Sequence, residues 1–463
     1  MATTDVRSHV ESIDPATGDV LERYPLDDAP AVDRALERAH TKQLSWRDAG
    51  FERRAEVLRA IATELRSDSD KLAELITAEM GKTLREARAE IEKSAWACEY
   101  YADNGAAFLA HDVLETEYAE TYVDFPPLGT VLAIMPWNYP VWQVMRAAAP
   151  ALMAGNTMVL KHASNVTGSA LALAETIAKV EPELFEALVI SSGNVADVIR
   201  DQRIDAVTLT GSEMVGIKVA TVCAEVLKPS VLELGGSDPF IILEDADVEA
   251  AAAMAVRARF SNTGQSCVAG KRFIAVEGVA EAFEEAFAAK TGALVMGAPR
   301  EESVDLGPMA RVDLRDELAD QVVRGVAAGG RVLVGGTVPE GPGAFYPPTV
   351  VGNVTDENPL AREETFGPAA AVLRARDEDH AVQIANNSPY GLSSSLWTQD
   401  ISRARRITPH IEAGAVFVNT MTASDPRVPF GGVKRSGWGR ELGAYGIREF
   451  TNAQAITIAP RKG

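Results

Sequence analysis

Between residues 157 and 227 the chain alternates short apolar runs with longer amphipathic ones, and this alternation most narrows what it can fold into. The runs TMVLK (157–161), ALVIS (187–191) and AVTLT (206–210) have the length and composition of buried strands. The stretches SALALAETIAKV and MVGIKVATVCAEVL, which follow the first and third runs, read as helices. Such a rhythm needs crossover connections, and crossovers build parallel sheets covered by helices on both faces. The expected class is therefore α/β. A second alternating series starts near VLELGG at 231 and continues to about residue 440, so a second α/β unit is expected.

The flanks read differently. In FERRAEVLRAIATELR (51–66), Phe51, Ala55, Leu58, Ile61, Ala62 and Leu65 recur at three- and four-residue steps, the spacing of one buried helical face. A similar pattern runs through residues 71–108, so the first hundred or so residues are expected to be predominantly helical. From about residue 116, TEYAETYVDFPPLGT alternates β-branched and aromatic residues with polar ones before two prolines, which reads as an extended hairpin arm. IREFTNAQAITIAP offers a last strand that could pair with it.

With 463 residues and 46% hydrophobic content, a large core is available. The 45 Lys and Arg against 66 Asp and Glu leave a net charge of -21, which argues against nucleic acid and anionic membranes as partners. Asp5, Arg7 and Glu11 interrupt the N-terminal stretch where a secretory leader needs an apolar core, and no later run has the length of a membrane span. The protein is expected to be soluble and cytoplasmic. Its three cysteines, 98, 223 and 267, form no CxxC pair, so neither a disulfide framework nor a metal site is expected.

Cys98 and Cys223 lie in helical runs and read as core residues. Cys267, in FSNTGQSCVAG, lies among small and polar residues, off any apolar stripe. A thiol with a pKa of about 8.5 needs activation to attack a carbonyl. None of the six histidines stands in a context suggesting a partner. Glu233, at the end of an apolar strand and before two glycines, reads either as a base whose pKa is raised by burial or as an acid that neutralises a neighbouring cation. Asn138, in IMPWNYP, reads either as an oxyanion donor beside the Cys267 amide or as a turn residue. Gly211 and Ser212 open a helix directly after a strand, a geometry suited to a pyrophosphate although not a GxGxxG motif. Lys161 closes another strand, with Ser164 three residues on, where ribose hydroxyls or a phosphate would lie.

The motifs PWNYP, MAGNTMVLK, TLTGS, LELGGSDP, NTGQSC, EETFGP and PFGGVKRSGWGRELG, in this order along nearly the whole chain, resemble the aldehyde dehydrogenase superfamily. LKHASNV and NTMTASDPRVPFGG are similar to the bacterial NADP-linked succinate-semialdehyde dehydrogenases within it. The resemblance implies a Rossmann-like cofactor domain (1–115 and 129–232), a catalytic domain (233–441) and a β arm (116–128 and 446–460) that joins subunits into a homodimer or homotetramer. It makes Cys267 the nucleophile, Asn138 the oxyanion donor and Glu233 the base that hydrolyses a thioester. Trp137, Lys161, Ser164, Gly211, Ser212, Glu364 and Phe366 would bind the cofactor. Ser164, in place of the glutamate common in NAD-preferring relatives, leaves room beside Lys161 for a 2′-phosphate, so NADP is expected, with NAD as a weaker alternative. Arg146 and Ser424 match positions that bind a substrate carboxylate, with Arg146 expected to clamp it through two parallel bonds; Arg259 and Arg427 are further cations near the motifs. The expected reaction is oxidation of succinate semialdehyde to succinate. A broad-range enzyme for neutral aliphatic or aromatic aldehydes is the alternative, while Glu233 argues against a CoA-acylating variant. Val268 and Ala269 after the nucleophile leave no neighbouring thiol for a disulfide switch.

Overall fold

The computed structural model describes residues 8–460; Asp5 and Arg7 lie outside this range. After an N-terminal hairpin come helices α1 (Ala29–Trp46), α2 (Gly50–Ser67), α3 (Ser69–Met80) and α4 (Leu84–Phe108). A six-stranded sheet follows, in the order Gly437–Trp438, Ser230–Glu233, Ala206–Thr210, Thr130–Met135, Thr157–His162, Phe185–Leu188. Its strands run parallel except Gly437–Trp438, which returns from far along the chain to pair antiparallel with Ser230–Glu233. Helices α5 (Trp142–Ala154), α6 (Thr167–Ala178), α7 (Val195–Arg200) and α8 (Glu213–Glu225) connect the strands.

The strand Thr130–Met135 shows why the helices divide between two faces. Val131, Ala133 and Met135 pack into the core built with α2 to α5, whereas Leu132 and Ile134 pack with Leu36 of α1, Val198 of α7 and Val219 of α8. The period-two alternation of a strand thus feeds both faces, and every residue of this strand is buried. A seven-stranded sheet forms the second unit, parallel except at the edge strand Arg331–Val334, and begins its chain course with Asp238–Ile242, α9 (Val248–Phe260) and Gly270–Val276. The final strand Gln454–Ile458 pairs antiparallel with Glu120–Asp124, in the register Gln454 to Asp124, and completes a three-stranded sheet with Asp112–Val113.

Strands at 157–162 and 206–210 fall where the apolar runs predict them, but the one expected at 187–191 lies at Phe185–Leu188. The expectation of a helical first hundred residues misses the antiparallel hairpin His9–Ile13 with Val20–Pro25. The second of these strands is mostly exposed and so carries no apolar signature. The hairpin is held from elsewhere: the Ser12 hydroxyl donates to Glu79 Oε1 over 2.9 Å. On α2, Phe51 is exposed rather than buried. Buried Arg54 donates to the Met153 and Ala154 carbonyls at the end of α5.

Candidate active site

The carboxyl edge of the six-stranded sheet gathers most of the expected residues. Asn138 follows the strand Thr130–Met135, Lys161 lies near the end of its neighbour, Thr210 ends the strand before α8, and Glu233 ends the next. Ligands of parallel sheets bind at this edge because strand ends and helix N-termini converge there. A cavity of about 530 Å³ opens along it, lined by Trp137, Asn138, Gly211, Ser212, Glu364 and Phe366 among others, and it reaches Cys267. The Trp137 and Phe366 rings meet edge to face with centroids 5.7 Å apart. Ser212 caps α8 without a side-chain bond to the first turn, so its hydroxyl and the first-turn N–H groups are available to an anion. The Gly211 N–H is not, because it donates to the Glu233 carbonyl over 3.0 Å. Lys161 and exposed Ser164 lie at the same edge but outside the lining of this cavity.

The loop that carries Cys267 is built from an unusual backbone. After α9 ends at Phe260, Asn262, Thr263 and Gly264 adopt φ values of 56°, 54° and 69°, a left-handed run that two non-glycine residues enter at a cost. Side-chain bonds hold the loop in place. Asn262 Nδ2 donates to the carbonyls of Asn138 (2.9 Å) and Gln265 (3.0 Å), and Asn138 Nδ2 donates to the same Gln265 carbonyl at 3.0 Å. Gln265 Oε1 in turn accepts from the Ala310 N–H. Thr263 and Gly264 are thus small for packing: a Cβ on Gly264 would lie 2.5 Å from the Gly367 carbonyl oxygen, and Thr263 is fully buried. The glycines after Glu233 do permit close approach. A Cβ on Gly235 would stand 2.3 Å from Glu364 Oε2, and one on Gly236 2.8 Å from the Cys267 carbonyl oxygen.

Cys267 lies at the floor of the cleft. Burial pushes its thiol up to about 11, opposed by the cations of Arg146 and Lys271 and reinforced by Glu233 and Asp238. Cys98 and Cys223 are buried in the core and also pushed up, to about 12 and about 11. Among the described residues no histidine lines the cleft, and His162 is buried against the Pro140 carbonyl. In the free protein, therefore, iodoacetamide is expected to label Cys267 alone, at a rate rising about tenfold per pH unit between pH 7 and 10. Peptide mapping of timed alkylations checks this; a plateau below pH 9 contradicts it.

Glu233 is fully enclosed, and neither carboxylate oxygen has a hydrogen-bond partner. Burial raises its pKa well above the usual carboxylate range, with Arg146 opposing and Glu441 adding to the effect. Glu233 lines neither cavity, and its carboxylate form, left without partners, would take a proton from a water that reached it, the property a base requires. Glu364 is held differently: its Oε1 accepts from Lys271 Nζ at 2.7 Å and from the Gly236 N–H at 3.0 Å. Lys271 also donates to the Cys267 carbonyl over 3.1 Å, so one buried cation orients both loops.

Arg146 departs from the expected free clamp. It is buried on α5, its Nε donates to Glu441, and its Nη2 donates to Thr210 Oγ1 at 3.1 Å. Burial works against its charge, but Glu441, Glu233 and Cys267 raise its pKa. Two of its five N–H donors are committed, so a ligand would meet only the remainder. Arg259 is buried as well, and donates to the carbonyls of Thr365, Gly367 and Ala369, bracing the EETFGP loop. Arg427 is exposed and paired with Asp425.

A second cavity, of about 270 Å³, meets the first at Gln143 and Cys267. Ser424, Arg146, Trp142 and Phe430 line it, together with Lys93, which the sequence reading passed over. Ser424 Oγ accepts from Lys93 Nζ at 2.9 Å and from Trp142 Nε1 at 3.0 Å. Glu86, Glu90 and Lys93, at steps of four and three on α4, all line this cavity. That polar stripe was the available signal. Glu90 binds Lys82, and its Oε1 accepts from the Val141 and Trp142 N–H groups (2.7 and 2.9 Å), neutralising the start of α5.

The chain matches the aldehyde dehydrogenase family over residues 2–456. It is 48% identical over 451 residues to the succinate semialdehyde dehydrogenase [NAD(P)+] of Escherichia coli, covering 97% of this chain and 98% of that protein. It is 46% identical over 455 residues to succinate-semialdehyde dehydrogenase [NADP(+)] 1 of Mycobacterium ulcerans, covering 97% and 99%. Among solved structures, the succinic semialdehyde dehydrogenase of Streptococcus pyogenes in complex with NADP+ superposes with a TM-score of 0.95 at 36% identity, over 97% of this chain and 100% of that one. A thiol at the junction of two cavities, an enclosed carboxyl without partners and an open helix N-terminus on a parallel sheet accord with these matches, and the chain belongs to the aldehyde dehydrogenase family.

Proposed function

We propose that the protein oxidises succinate semialdehyde to succinate with NADP+. One observation carries the reading: Cys267 stands where a cavity running to the α8 N-terminus meets one lined by Arg146 and Ser424. The relatives' names point to the same substrate and cofactor. The first cavity fits a dinucleotide, with Ser212 and the α8 first turn toward the pyrophosphate, Glu364 toward a ribose, and Trp137 and Phe366 toward the nicotinamide. Lys161 and Ser164 take the adenosine ribose, and no carboxylate side chain at 164 repels a 2′-phosphate. Bound there, NADP+ supplies the hydride acceptor.

In this reading the chain's residues divide the chemistry. The Cys267 thiolate adds to the aldehyde carbon, and the resulting alkoxide accepts hydrogen bonds from Asn138 Nδ2 and the Cys267 N–H. Loss of hydride from that carbon leaves a thioester on Cys267. Glu233 then takes a proton from water as the oxygen attacks, the C–S bond breaks, and the carboxylate leaves. Ser424 and the uncommitted N–H groups of Arg146 face the substrate carboxylate.

The proposed units are a cofactor domain (1–115 and 129–232), a catalytic domain (233–441) and an arm (116–128 and 446–460). The arm's exposed strand Gln454–Ile458 suits pairing with another subunit, and we read the protein as a cytoplasmic homo-oligomer, which light scattering tests. No helix among the described residues is long and apolar enough to cross a membrane. The pairing of Arg146 with Glu441 favours the second reading, oxidation of neutral aldehydes. Steady-state kinetics with succinate semialdehyde, glutarate semialdehyde and butanal, each with NADP+ and NAD+, decides. The proposal expects the highest kcat/KM for succinate semialdehyde with NADP+; equal values for butanal, or a clear preference for NAD+, count against it.

A further inference from the structure

Of the cations lining the smaller cavity, Arg146 has an ion-pair partner and Lys93 does not share one. Lys93 projects from α4, and its contacts are with uncharged groups: Ser424 Oγ at 2.9 Å and the Trp142 ring, whose centroid lies 4.4 Å from Nζ. The neighbouring acids are already engaged. Glu90 binds Lys82 and two backbone amides. Asp425 binds Arg427 at 2.6 Å. Glu86 accepts from the Asn262 N–H and the Thr83 hydroxyl. An ammonium with one N–H on a neutral oxygen keeps two for an incoming anion. Ser424 is complementary: its oxygen accepts from both Lys93 and Trp142, which leaves its hydroxyl hydrogen to donate. A sheltered cation and a hydroxyl donor side by side, in a cavity that opens onto the nucleophile, form a carboxylate subsite.

We propose that Lys93, with Ser424, is the principal carboxylate-binding group and the determinant of selectivity for aldehyde acids over neutral aldehydes, while Arg146 chiefly holds Glu441 and the end of the strand at Thr210. This rests on the reading of the substrate as a short aldehyde acid. A pH dependence follows. Burial lowers the Lys93 pKa to about 8, with Arg146 across from it on α5 acting in the same direction. Asp425 on the loop beside Ser424, Glu90 on α4 itself and Cys267 on the nucleophile loop oppose it. The ammonium is present below that value and lost as pH rises through it, so acid selectivity in the free enzyme declines above about pH 8.

The test is the ratio of kcat/KM for succinate semialdehyde to kcat/KM for butanal, measured in the wild type, Lys93→Met and Lys93→Arg across pH 6.5–9.5. Butanal shares every titration of the chemical steps, so the ratio isolates carboxylate recognition. We expect Lys93→Met to lower the ratio roughly 10- to 100-fold, the worth of a hydrogen bond to a charged group. Lys93→Arg should retain it and, because arginine stays charged, abolish its decline above pH 8. An unchanged ratio in Lys93→Met, with the wild type favouring the acid, overturns the assignment of Lys93 and leaves the substrate reading standing. A wild-type ratio near one overturns the substrate reading itself. Should Lys93→Met fail to fold, Lys93→Gln takes its place, and an unchanged ratio there overturns the proposal.

Discussion

Glu233→Gln is expected to separate the two halves of the reaction. Mixed with NADP+ and succinate semialdehyde, the variant should form NADPH in a burst of one equivalent per site and then turn over about 10²- to 10⁴-fold more slowly than the wild type, the usual contribution of a general base. The reason is positional. Glu233 ends a strand and its carboxyl is fully enclosed and without partners, whereas of the acids that line the larger cavity Glu364 is engaged through its Oε1 by Lys271 and Glu363 by Arg324. The wild-type hydrolytic step should accelerate as pH rises, since burial holds Glu233 in its protonated form to well above the usual carboxylate range. Stopped-flow absorbance of NADPH reads both effects. A Glu233→Gln variant with undiminished steady turnover would transfer the role of base elsewhere.

The second large effect is on stability. Arg146→Ala removes the partner of Glu441, which is 2% exposed and would keep only the Thr208 hydroxyl at 3.2 Å. Breaking a buried pair from one side typically costs about 3–5 kcal/mol because the remaining charge has no solvent. Chemical denaturation should show a loss of this size in Arg146→Ala. The double variant Arg146→Met, Glu441→Leu should recover most of it, as paired residues do in a double-mutant cycle. Additive losses in the double variant would mean that the two side chains act independently. The pairing also bears on function: a fall in succinate semialdehyde oxidation on mutating Arg146 alone reports lost structure as well as lost charge, and so cannot identify the carboxylate's partner without the stability measurement.

Legibility in the sequence followed the range of the interactions. The strands Thr157–His162 and Ala206–Thr210 are buried runs whose own composition declares them, and Cys267 stands out as a reactive residue off any apolar stripe, whereas Glu233 and Asn138 each have an ordinary local reading until the ordered motifs join them. The hairpin at residues 9–25 did not stand out, because its second strand is mostly exposed and its anchors are remote, Ser12 meeting Glu79 across 67 residues. Site details depended on still longer separations. Arg146 and Glu441 lie 295 residues apart, and Lys93 and Ser424 331 apart. Read alone, Arg146 is an open cation and Lys93 one more charge on a helix; only the fold exchanges their status. The small residues around Cys267 were legible as unusual, but the reason for them was not. Thr263 and Gly264 serve a left-handed loop pressed against Gly367, while Gly235 and Gly236 let the end of their strand approach Glu364 and the Cys267 carbonyl.

In the proposed reaction the substrate is bonded covalently to Cys267 before water, activated by Glu233, releases it. Intact-protein mass spectrometry with peptide mapping, on Glu233→Gln quenched in acid seconds after mixing with NADP+ and succinate semialdehyde, tests it most directly. A single succinyl group, removable by hydroxylamine, is expected on the peptide that contains Cys267. Unmodified protein after a full NADPH burst, or the acyl group on any other residue, would contradict it.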